Sequence, residues 1–66
     1  MKTYYIGYFN KAWSKSDFVI LAQTKSETVA GYIESSYNRD YEAAGMSARA
    51  VVLEKAQLPE DYRFAD

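Results

Sequence analysis

Two short stretches carry the side chains best suited to chemistry. "NKAWSKS", Asn10 to Ser16, sets the only tryptophan of the chain, Trp13, between Lys11 and Lys15. A large ring flanked by cations can stack on a base or anchor a protein partner, or it can fold back as a lid over the small core. "SYNRDY", Ser36 to Tyr41, brings Tyr37, Arg39 and Tyr41 together with Asn and Ser, the composition of adaptable contact surfaces. Acids also occur in close pairs, Asp40 with Glu42 and Glu60 with Asp61. Without a cleft to perturb them, such pairs read as solvated surface groups.

The groups that catalysis most often needs are missing. The chain contains no histidine and no cysteine. That removes the commonest general base, the thiolate nucleophile and the usual zinc ligands. Three scattered glycines make no phosphate-binding loop. The serines have no visible base beside them. The expectation is a non-catalytic domain with no cofactor and no metal.

The elements that must position these residues follow from hydrophobic spacing. "TYYIGYF", Thr3 to Phe9, is β-branched and aromatic and reads as a first strand. Alternation puts Tyr4, Ile6 and Tyr8 on one side and Tyr5, Gly7 and Phe9 on the other. "DFVILAQ", Asp17 to Gln23, reads as a second strand, paired antiparallel with the first across the Trp13 loop. "TKSE" then matches a capping box, with Thr24 as N-cap, Glu27 three residues on and Ser26 as the rival cap. Val29, Ile33 and Tyr37 continue as an apolar stripe at helical spacing, with Ala30 and Tyr32 beside it. Gly31 within that helix suggests close packing on the sheet. The helix is expected to reach about Tyr37, with a looser turn through Ala44. "SARAVVLEK", Ser47 to Lys55, reads as a third strand. In the tail, Leu58, Tyr62 and Phe64 are expected to pin a short segment to the domain.

The predicted fold is therefore one α+β domain over 1–66: a three-stranded antiparallel sheet in β-β-α-β order, one helix on one face, and a short C-terminal segment. Its strands are apolar on both sides, and such strands are usually covered on both sides. One helix covers only one. Tyr62 and Phe64 could close part of the second face, and the remainder is expected to meet a partner or a second copy of the chain.

Composition sets further bounds. A chain of 66 residues buries only ~60% of its unfolded surface, so stability must come from dense packing or association. Aromatics make up 17%, dominated by seven tyrosines, which suit half-buried and interfacial sites. The net charge of −1 conceals an asymmetry. Residues 1–26 hold four lysines against one aspartate, +3, and residues 27–66 hold four bases against eight acids, −4. An isoelectric point near 5.3 argues against nucleic acid as the main partner. Single-stranded nucleic acid, held on Trp13 and the Tyr-rich first strand, is the alternative reading. The sequence contains no apolar run of the ~20 residues a membrane span needs, and a cytoplasmic location is expected.

In format, as one cysteine-free, tyrosine-rich, weakly acidic β-β-α-β unit, the whole chain resembles the small anti-defence proteins of phages and mobile elements, anti-CRISPR proteins among them. The resemblance implies a stoichiometric inhibitor or adaptor that masks a working surface of a larger protein or nucleoprotein complex. It would then act in the cytoplasm of the host cell. The residues expected to bind the partner are Trp13, Lys11, Lys15, Tyr5, Phe9, Tyr37, Arg39 and Tyr41.

Overall fold

The computed structural model describes residues 2–9 and 17–65. Trp13, Lys11 and Lys15 lie outside the described residues. In chain order the elements are β1 (Tyr4–Phe9), β2 (Asp17–Thr24), α1 (Glu27–Ala43), β3 (Val51–Glu54), a 3₁₀ turn (Lys55–Gln57) and β4 (Asp61–Phe64).

Among the described residues the sheet has four strands, in the order β3-β1-β2-β4. β1 pairs antiparallel with both β2 and β3, whereas β4 lies parallel to β2. This overturns the expected three-stranded antiparallel sheet. The tail does not merely pin itself to the domain: Asp61–Phe64 become a fourth strand and make the sheet mixed. The physical reason is the exposed flank of β2. β3 pairs with β1, so the far edge of β2 would otherwise present unpaired backbone groups. The ladder runs on past β4, where the Ala65 amide donates to the Ile20 carbonyl at 2.8 Å.

One face of the sheet packs on α1. Ile6, Ala30 and Ala50 form the buried centre there, with Tyr4, Ala22, Ile33, Tyr37, Tyr41 and Val52 packed around it. The inward stripe of the helix is therefore Ala30, Ile33, Tyr37 and Tyr41, at helical spacing. Val29 and Tyr32 point away from the core, and Tyr32 is 71% exposed. Gly31 does not serve close packing on the sheet either, because nothing lies within 4 Å of where its Cβ would be.

The helix starts one cap later and ends one turn and a half later than the sequence pattern predicts. Ser26 is the N-cap, its hydroxyl accepting from the Val29 amide at 3.2 Å. Thr24 instead accepts from the Ser26 amide at 3.1 Å, which bends the chain out of β2. The helix continues through Asn38 because that side chain has a tertiary task. Its amide donates to the Ala50 carbonyl at 3.1 Å, and its carbonyl accepts from the Ala50 amide at 2.7 Å. Asn38 thus occupies both backbone groups of Ala50 as a neighbouring strand would, just before β3 begins. Gly45, at φ +72°, ends the helical region.

The order of strands also fixes the path of the tail. β2, β3 and β4 run in one direction, with β1 opposed. The α1 crossover takes the chain from β2 to β3, and the Lys55–Glu60 segment returns it past β1 and β2 to β4. Leu58 and Pro59 in this segment are half-buried. Glu54 and Gln57 brace the start of this segment, with the Glu54 amide donating to the Gln57 side chain at 2.8 Å.

Candidate functional site

The face away from α1 is built from alternate residues of all four strands. On β1 it presents Tyr5, Gly7 and Phe9. The register carries it across to Leu53 and Val51 on β3, to Phe18 and Ile20 on β2, and to Tyr62 and Phe64 on β4. A bulge between Ile6 and Gly7 re-phases β2, so that Ile20 stands opposite Gly7. Phe18 and Ile20 are fully buried, and Phe9 meets Phe18 edge-on with ring centroids 5.0 Å apart. Gly7 makes room for this arrangement. A Cβ there would strike the Val19 carbonyl oxygen and come within 2.9 Å of Phe18 Cζ.

Around that buried centre the face remains open towards β4. Tyr62 is 44% and Phe64 55% exposed, and all four residues of β4 are exposed. Two large aromatic rings side by side on an edge strand are costly to leave in water, since each can remove roughly 150–250 Å² of surface on burial. Phe9, Tyr5, Val51 and Leu53 are half-buried and continue the apolar surface inward. The sequence did not single out Tyr62 and Phe64 as contact residues. Their i, i+2 spacing was the available signal.

The other expected contact residues are dispersed. Tyr5 and Phe9 share the open face. Tyr37 and Tyr41 lie on the far side of the sheet, half-buried against the core, with centroids 6.1 Å apart. The Tyr41 hydroxyl is held above its ordinary pKa of 10.0, chiefly by burial and then by the nearby Tyr8 and Tyr37. Arg39 points outward and lines a shallow hollow of about 450 Å³ with Glu34, Asn38, Glu42 and Arg49. A second hollow, about 320 Å³, lies between Gly31 and β3 and carries Glu27, Glu34 and Glu54 on its walls. Among the described residues no group of acids is arranged to hold a metal ion. No described helix is long and apolar enough to cross a membrane.

No family model matches the chain, and neither a curated protein nor a solved structure matches it.

Proposed function

We infer that the protein is a non-catalytic protein-binding domain, and that the open sheet face around Tyr62 and Phe64 is its contact surface. The observation that carries this reading is the pair of exposed aromatic rings on β4, continuous with the half-buried Phe9, Tyr5 and Leu53. Exposed aromatics beside a rigid, well-packed centre are the usual makings of a binding hot spot. Val29 and Tyr32, by contrast, stand on the outer side of the helix and do not join this patch.

The finer reading is a small inhibitor or adaptor, of the anti-defence kind its format resembles, which masks a functional surface of a larger protein or nucleoprotein complex. Its acidic second half suits a basic surface. The test is affinity capture from the native host with the intact chain and with a Tyr62→Ser/Phe64→Ser variant, read by mass spectrometry. Both side chains are exposed, so the variant keeps its fold. Loss of a captured partner with the variant supports the reading; an identical set of captured proteins refutes it.

Single-stranded nucleic acid is the second reading, favoured by one observation: the half-buried Tyr5 and Phe9 share a sheet face with the exposed Tyr62 and Phe64, aromatic rings of the kind on which bases stack. Glu60 just before β4 and Asp61 at its start weigh against it. Fluorescence anisotropy with a labelled oligonucleotide separates the two, because nucleic-acid affinity falls steeply with salt.

A further inference from the structure

We propose that the outer edge of β4 is a self-association seam, on which a second copy of the chain adds its own β4 antiparallel across a two-fold axis. The inference stands on backbone geometry and goes beyond the partner-binding reading.

The Ala65 amide bonds to Ile20 of β2. By alternation along the strand, the backbone groups of Asp61 and Arg63 also point towards β2. Those of Tyr62 and Phe64 therefore point away from the sheet, where β4 is the last strand among the described residues. All four residues of β4 are exposed, whereas those of β3, the other edge, are half-buried. β4 itself contains neither lysine nor proline, two residues by which edge strands commonly discourage pairing.

The strand is also complementary to itself. A two-fold axis normal to the sheet keeps each side chain on its own face, so only residues of equal phase can stand opposite one another. The axis can fall on any of the four residues of β4, but only two registers pair three residues of each strand; centring on Asp61 or Phe64 pairs one. Centred on Arg63, the pairing sets Arg63 against Arg63 of the second copy, two like charges directly opposed. Centred on Tyr62, it sets Asp61 against Arg63 of the second copy and Arg63 against Asp61, two opposite-charge pairs. The Tyr62 residues then exchange their outward N–H and C=O groups. Opposed like charges destabilise a strand pair and opposite charges stabilise it, so the Tyr62-centred register is selected. The product is an eight-stranded sheet in which the two Tyr62 rings lie side by side and the two open faces become one. A seam this short gives a weak, reversible dimer rather than an obligate one.

The test is sedimentation equilibrium on the full chain, with circular dichroism to check the fold. The intact protein is expected to show a reversible monomer–dimer equilibrium. Among backbone hydrogen-bonding groups Tyr62→Pro removes only an outward N–H, leaving the β2–β4 ladder intact, and it is expected to abolish the dimer. Tyr62→Ala retains the N–H and is expected to keep it. Asp61→Arg alone and Arg63→Asp alone each set like charges across the seam, raising the dissociation constant about tenfold or more. Mixed together, those two variants are expected to form a heterodimer. An intact chain that stays monomeric up to about 1 mM, far above the range of weak biological contacts, overturns the proposal. So does a dimer indifferent to Tyr62→Pro, or a charge-variant pair that does not associate when mixed. Because Asp61 and Arg63 lie on the opposite face from the exposed aromatics, the charge variants leave the partner-binding reading to its own test.

Discussion

The same substitution, glycine to alanine, is expected to have opposite signs at two positions. At Gly7 a Cβ would collide with the carbonyl oxygen of Val19 and lie 2.9 Å from both the Val19 carbonyl carbon and Phe18 Cζ. Two of those three atoms are backbone, in the central strand pair of the sheet, and Phe18 is fully buried. No side-chain rotation relieves the clash. The bulge must be rebuilt, or β1 and β2 must part locally. Overpacking of a tight core costs ~1–3 kcal/mol and occasionally more, and a backbone collision belongs at the upper end. A domain of this size holds about 3–10 kcal/mol in total at typical per-residue stability, so Gly7→Ala should forfeit a large share of it. At Gly31 nothing lies within 4 Å of the added methyl, and the residue is inside α1. There alanine should stabilise by ~1 kcal/mol through helix propensity alone. Urea denaturation followed by circular dichroism reads both. A Gly7→Ala midpoint equal to or above that of the parent would refute the close approach of β1 to Val19. A loss of stability at Gly31→Ala would show that the helix does pack tightly there.

Asn38→Ala strips Ala50 of its partners for both backbone groups and should cost ~1–3 kcal/mol, seen as a lower urea midpoint and faster amide exchange at the start of β3. Asn38→Asp tests the same contact, since an acceptor-only side chain leaves the Ala50 carbonyl unserved. Ser26→Ala should cost ~1 kcal/mol as loss of the N-cap. Thr24→Ala should cost less, and a larger loss there would return the cap to Thr24. The raised pKa of Tyr41 means that the folded state holds the phenolic proton more tightly than the unfolded chain. Its contribution is fully present below pH 10.0 and is lost as pH rises through the folded value. Alkaline unfolding should therefore be milder in Tyr41→Phe, and equal pH profiles for the two proteins would count against a desolvated hydroxyl.

How much of this was legible in the chain depends on how local each cause is. β1 and β2 announce themselves because "YYIGYF" and "DFVILA" carry strand preference residue by residue, and a hairpin is the nearest pairing open to them. The alternation that divided Tyr5 and Phe9 from Tyr4 and Tyr8 also holds in the sheet. The helix was harder. "NRDYEAAG" looks like a break because asparagine favours turns, yet Asn38 stays helical since its amide serves Ala50, twelve residues away. The stripe was misassigned by one position: Val29 is the stronger hydrophobe, but Ala30 is the residue small enough to sit against Ile6. β4 was the least legible of all. Its partner, β2, lies more than forty residues earlier, and "LPED" before it has the form of a helix start. Only the unfilled edge of β2 demands a strand there, and that edge exists only once β3 has chosen β1. The contact face inherits this order of causes. Tyr5 and Phe9 follow from the first strand alone, whereas Tyr62 and Phe64 become surface neighbours of Phe18 and Ile20 only after the last step of assembly. A change that unseats β4, such as a proline at Arg63, whose amide points towards β2, should therefore remove the candidate binding surface while the α1-covered core of Ile6, Ala30 and Ala50 stays folded.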